Sequence, residues 1–185
     1  MVRRLVVVLL VLVVLTVSVY AENEKDKKLT LDGIFPTDRV LDLKITVDPE
    51  DWATICSQGR DFNTISDPKR KDGPPENPFT YVEAEIVIDG LTFPRVGIRK
   101  KGFLGSLSRT RPSLKVKLNY LGQKGEIDGM TNLTFNNNKQ DGSLMSQFMS
   151  YTLFNAVGSP APRCAYAQVT VNGQNLGIYS HVERI

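Results

Sequence analysis

Along most of this chain apolar residues recur at every second position, a period that a half-buried strand satisfies and a helix does not. Leu41, Leu43, Ile45 and Val47 share one side, with Asp42, Lys44 and Thr46 on the other. The pattern returns over Tyr81 to Ile88, where Val82, Ala84, Ile86 and Ile88 point inward. It returns again at Val96 and Ile98, over Leu114 to Leu118, briefly over Leu133 to Phe135, and over Ala165 to Val171 and Leu176 to Val182. Asp89-Gly90 and Asn172-Gly173 sit between such runs and predict tight hairpins, because both turn positions need a residue that tolerates positive φ.

Two segments break the period. Asp48-Pro49-Glu50-Asp51 combines an N-cap, a first-turn proline and acids at the positive end of a helix, so a short helix through Trp52 and Ile55 is expected. Leu144, Met145, Phe148, Met149, Leu153 and Ala156 recur at helical spacing. Asp141 or Ser143 can cap the start of that helix, and Gly158 can close its end with Pro160 beyond. Residues 59–78 show no period and read as a surface loop. Together these predict an α+β domain: a mainly antiparallel sheet with one main packed helix.

The start of the chain has a different character. Arg3 and Arg4 precede an apolar run from Leu5 to Leu15, and Val19 and Ala21 supply the small residues of a signal-peptidase site. The run is short for a membrane span of about 20 residues. The expected organisation is a signal peptide over 1–21, a flexible leader over 22–39 and one domain over 40–185, with no stable membrane span after cleavage. A secreted, cell-surface or envelope location follows. The chain then ends within or just after a strand, so the domain is expected to be truncated at its C-terminus.

Composition narrows the chemistry. The chain has 23 basic and 20 acidic residues. Without Arg3 and Arg4 the balance is nearly neutral, and nothing in it calls for nucleic acid. A single histidine, His181, argues against a His-rich metal site or a His-based triad, and a structural hydrogen bond is its expected role. Cys56 and Cys164 are far apart in sequence; a disulfide and two buried thiols both remain open.

What matters is where the basic residues sit. Between Asp89 and Glu126 there is no acid, while the same window holds Arg95, Arg99, Lys100, Lys101, Arg109, Arg111, Lys115, Lys117 and Lys124. Within it, Lys101 to Ser108 (K-G-F-L-G-S-L-S) joins two strands. Small residues let backbone N–H groups approach a phosphate, and hydroxyls add donors. Lys115 and Lys117 alternate with Leu114, Val116 and Leu118 and share one strand face. Phosphate binding and an ordinary turn beside a solvated face are both consistent with this pattern; it is neither a Walker A motif nor a full G-x-G-x-x-G.

Several motifs in order carry a resemblance. The run Val96 to Leu107 (V-G-I-R-K-K-G-F-L-G-S-L), then Arg111 to Leu118 (R-P-S-L-K-V-K-L), Leu133 to Asp141 (L-T-F-N-N-N-K-Q-D) with Ser143-Leu144, Gly158 to Arg163 (G-S-P-A-P-R), and Val171-Asn172-Gly173 through His181-Val182-Glu183 closely resemble the CotH family. The likeness runs from about Leu41 to Ile185. It implies the N-terminal part of an atypical secreted kinase, with an architecture like a kinase N-lobe. Relatives include spore-coat proteins that phosphorylate other coat proteins, and fungal and bacterial surface proteins. It further implies ATP with Mg²⁺ as cofactor and a protein or coat partner as substrate.

By that resemblance Arg99, Lys101, Gly102, Gly105 and Ser106 would lie over the nucleotide, and Lys115 or Lys117, with Lys117 preferred, would contact its phosphates. Glu183 would lie at the entry to the adenine border. The helix from Ser143 to Ala156 would stand in for the regulatory helix, yet Thr152 occupies a position where many relatives carry an acid. The catalytic and metal-binding aspartates of the family come later than Ile185. The chain is therefore expected to be inactive alone, with no catalytic or metal residue of its own.

Other polar groups have simpler expected roles. Asn136, Asn137 and Asn138 read as turn residues, and Glu83, Glu85 and Asp89 as a solvated strand face. Asn132-Leu133-Thr134 is a glycosylation sequon whose central leucine looks buried. The competing functional reading is a non-catalytic coat or surface module whose basic face holds a polyanion or a protein partner.

Overall fold

The computed structural model describes residues 28–61 and 77–184. The expected signal peptide lies outside the described residues, as does most of the expected 59–78 loop. From Leu29 onward the chain already belongs to the folded domain. A single turn, α1 (Leu31–Ile34), is capped by the Thr30 hydroxyl, and Leu29, Ile34 and Phe35 are buried in the core.

Strand β1 (Val40–Val47) alternates exposed and buried along its whole length. Helix α2 (Pro49–Ser57) follows at once, its free N–H groups of Glu50 and Asp51 taken up by the Asp48 carboxylate. Strands β2 (Val82–Ile88) and β3 (Leu91–Lys101) form a hairpin whose turn residues Asp89 and Gly90 have φ of 49° and 89°, the type I′ geometry that matches strand twist. Their register slips between Ala84 and Ile86. Pro94 falls within this irregularity, where its missing N–H disturbs no regular ladder. Then come β4 (Ser113–Lys117), β5 (Asn132–Asn136), α3 (Ser146–Ala156), β6 (Cys164–Val171) and β7 (Gln174–Val182). The β6–β7 turn at Asn172-Gly173 repeats the type I′ form, with φ of 48° and 80°.

The α+β sheet with a packed helix is not what forms. The strands close into a barrel in the order β1-β2-β3-β4-β5-β7-β6, and β1 completes it by pairing in parallel with β6. Asn172 extends that seam, accepting from the Val47 N–H at 3.0 Å and donating to the Val47 carbonyl at 2.9 Å. Closure satisfies the two strands that would otherwise be open edges. It also means that strand side chains fill the interior from all sides: Leu43, Ile45, Ile86, Ile98, Leu114, Val116, Ala167 and Val169 are all at most 2% exposed.

A barrel closed in this way leaves no inner face for α3 to cover. None of the helix residues is buried, and Met149, Leu153 and Phe154 stand about half exposed or more. The helix touches the barrel mainly where Phe148 stacks on Tyr166, with ring centres 5.2 Å apart. The expected likeness to a kinase N-lobe, which depended on a packed helix beside an open sheet, is corrected by this closure. The helix boundaries were legible all the same. Asp141 accepts from the Ser146 N–H at 2.8 Å, and Gly158 follows the last turn with φ of 80°.

Candidate functional site

In a barrel strand one parity points into the core and the other points out, and this rule sorts the basic run at the end of β3. Ile98 and Lys100 point inward, whereas Arg99 and Lys101 point out. Lys100 is 1% exposed. Its ammonium donates to the carbonyls of Cys56 at 2.9 Å and Gln58 at 2.6 Å, closing the C-terminal end of α2 with a positive charge. Burial lowers its pKa. Lys100 is thus a structural lysine.

The outward residues form the candidate site. Arg99 stands opposite Lys115 and Lys101 opposite Ser113 across the β3–β4 pair; Lys115 in turn stands opposite Thr134 on β5. Among the described residues no carboxylate forms an ion pair with Arg99, Lys101 or Lys115; the ion pairs lie elsewhere. Burial pushes the Lys101 ammonium down to about 8, and the neighbouring charges of Lys115 and Arg99 add to the shift. The Lys115 ammonium is lowered by burial, then by Arg184 and Arg99. Arg184, just beyond β7, therefore belongs to the same cluster. Sequence reasoning missed it, although strand parity places it on the opposite side of the chain from Glu183.

Beside these cations lies a cleft of about 400 Å³ lined by Arg60, Arg99, Lys101, Phe103, Ser113 and Asn136, among others, with no acid among its described lining residues. Arg60 sits between the rings of Phe79 and Phe103, 5.1 and 5.7 Å from their centres, and donates to the Gly102 carbonyl at 3.0 Å. Lys101 donates to the Asn136 side-chain oxygen at 2.6 Å. Asn136 donates to Gln147 on α3 at 2.8 Å.

The loop after β3 is built differently from a bare phosphate cradle. Gly102 has φ of 133°, and a Cβ there would lie 2.6 Å from the Ser106 hydroxyl oxygen. That hydroxyl accepts from the Phe103 N–H and donates to the Phe103 carbonyl, both at 3.0 Å. Gly105 makes room for the Gln140 amide, which a Cβ would approach to 1.9 Å. The glycines and the serine hydroxyl thus fold the loop onto itself.

Two further expected site residues stand apart. Lys117 lies opposite Gly97, and Gly97 is covered by the Tyr120 ring, whose nearest atoms a Cβ would meet at 2.7 Å. An aromatic surface therefore flanks Lys117, and the cationic cluster gathers around Lys115. Glu183 is fully engaged by Arg163, with its two oxygens 2.7 and 3.1 Å from the guanidinium and one of them 3.0 Å from the Arg163 N–H. Thr152 turns its hydroxyl back to the Phe148 carbonyl at 2.8 Å. From α3, Gln147 reaches Asn136, the hydrogen-bond partner of Lys101.

The remaining polar groups have structural partners. His181 is stacked between Phe35 and Phe135, at 4.4 and 4.7 Å, with Nδ1 3.1 Å from the Thr134 carbonyl. Glu83 pairs with Arg95, and Asp89 with Arg39. Asn137 ties the loop down by donating to the carbonyls of Ser106 and Arg111. Both cysteines are free thiols; burial pushes Cys164 up to about 11. Among the described residues no group of His, Cys, Asp or Glu could hold a metal ion, and no helix is long and apolar enough to cross a membrane.

Comparison with known proteins falls on this same region. The model of a family described as CotH kinase protein matches residues 98–185, from the inward Ile98 of β3 to the end of the chain. An inner spore coat protein H-like protein of Bacillus subtilis (strain 168) is 38% identical over 55 residues, which is 30% of this chain and 18% of the relative. The matched stretch therefore spans less than a fifth of that relative.

Proposed function

We propose, from the match of residues 98–185 to the CotH kinase protein family, that this chain is the phosphate-binding part of an exported CotH-like protein kinase. Arg99, Lys101, Lys115 and Arg184 would hold the phosphates of ATP, and phosphoryl transfer to protein Ser or Thr would belong to a longer chain. The relative's name supports association with a spore coat or cell envelope, with a coat protein as substrate or partner. The observation that carries the proposal is the cluster itself: four cations on one outer face, unpaired by any described carboxylate. Bringing like charges together is unfavourable, and a bound polyphosphate would offset it. The described residues offer no carboxylate set for Mg²⁺, so no metal-dependent step is assigned to this segment.

A non-catalytic module for polyanions is the competing function, and the sorting of the basic window counts against it. Arg95 is held by Glu83, Lys100 by the end of α2, and Arg111 by the Ile178 carbonyl and the Tyr179 ring. These three cations serve the fold, and the charge left over is concentrated at one place.

Titration calorimetry with ATP and with pyrophosphate tests this. One saturable site is expected, weakened about tenfold or more by Lys101→Met or Lys115→Met and little by Lys117→Met. Absence of binding by either probe would overturn the proposal. Affinity that collapses steeply with salt, with equal losses across Arg95 to Lys117, would establish the polyanion module instead.

A further inference from the structure

The hydrogen bonds that leave the cleft run in one direction. Lys101 Nζ donates to Asn136 Oδ1 at 2.6 Å, Asn136 Nδ2 donates to Gln147 Oε1 at 2.8 Å, and Gln147 Nε2 lies 3.2 Å from the Tyr151 hydroxyl. Every link is neutral except the first donor. An amide has a donor end and an acceptor end of nearly the same shape, so something must decide which end of Asn136 faces the ammonium. The ammonium itself does so: it can only donate, so it takes the Asn136 oxygen, and Gln147 Oε1 then receives the Asn136 NH₂ and holds the amide in place beside Lys101.

We propose that Asn136 and Gln147 are positioning residues for Lys101, linking α3 to the anion site through an amide relay that orients the ammonium without neutralising it. This rests on the anion-binding function proposed above and deepens it. A carboxylate at position 136 would orient Lys101 equally well, but it would satisfy the charge that an incoming phosphate needs. The amide supplies direction alone. Helix α3 is otherwise lightly attached, with no buried residue, so this relay is one of its few polar ties to the barrel. The charged groups around Lys101 are Arg99 from its own strand, Lys115 from β4 and Arg60 across the cleft. All are cations, so a new acid at 136 would be the first counter-charge in the described surroundings.

The test follows the Lys101 ammonium by NMR of lysine side chains labelled at Cε, alongside pyrophosphate titration and thermal melting. Asn136→Asp is expected to raise the Lys101 titration midpoint by about one pH unit or more and to weaken pyrophosphate about tenfold, with the melting temperature held or raised. Gln147→Leu is expected to shift the Lys101 resonance and weaken pyrophosphate several-fold, and Gln147→Glu, which keeps an acceptor for Asn136 Nδ2, to restore the resonance. A Lys101 signal and midpoint unchanged in both Asn136→Asp and Gln147→Leu would overturn the relay. If the Lys101 signal responds as expected while even the unaltered chain fails to bind pyrophosphate, the relay stands and the anion-binding function falls.

Discussion

Arg99 on β3 and Lys115 on β4 stand directly opposite one another in an antiparallel pair, two like charges at a position where opposite charges would stabilise the sheet. Lys101 and Arg184 crowd the same face. Such an arrangement does nothing for the fold, and its energetic cost points toward a ligand.

Lys115→Gln should therefore stabilise the free protein while weakening the anion site. Removing one member of a cross-strand like-charge pair is expected to contribute up to about 1 kcal/mol. Urea denaturation with and without pyrophosphate would measure both effects. A variant less stable than the parent would mean that repulsion is not the dominant interaction of Lys115.

The neighbours Lys100 and Lys101 should separate fold from site. Lys100→Met leaves the Cys56 and Gln58 carbonyls without their charged donor and is expected to cost roughly 2–3 kcal/mol, with pyrophosphate affinity nearly intact at temperatures where the variant is folded. Lys101→Met should cost less than about 1 kcal/mol and lose binding. The same urea midpoints and titrations decide, and a reversed pattern would contradict the inward and outward assignment of the two side chains.

His181 should make stability depend on pH between about 4 and 6.5. Burial lowers its pKa from 6.5 to about 4, because the stacked ring cannot be solvated as a cation. On acidification the unfolded chain takes up this proton first, so the contribution is fully present above about pH 6.5, falls as the pH drops, and levels off below about 4. The total is roughly 3 kcal/mol. Denaturation midpoints across this range should slope for the parent and flatten for His181→Phe. An equal slope in both would mean that the pH dependence comes from carboxylates such as Glu183, whose pKa is lowered by Arg163.

Much of this was legible before the structure. Alternation located every strand, because burial of one face writes itself into every second residue, and the Asp-Gly and Asn-Gly turns declared their geometry through residues that accept positive φ. The acid-free window located the cationic face, and the CotH resemblance is supported from residue 98 onward. Rank within the face was not legible. Lys117 and Lys115 share a parity, and only the Tyr120 ring over Gly97 and the arrival of Arg184 separate them. Gln147 carried no signal at all, since a glutamine on a helix is ordinary until its partner is known.

What the sequence determined by itself is therefore local: strand periods, turn types, helix caps and the sign of the charge on one surface. All of these depend on residues within a few positions of each other. Closure of the barrel, by contrast, depends on contacts between distant segments. The parallel pairing of β1 with β6 joins segments more than a hundred residues apart, and no short-range pattern encodes which strand edges will meet. That pairing fills the core from within and leaves α3 on the outside, while the chain of pairs β3–β4–β5–β7 brings Lys101, Lys115 and Arg184 to one face.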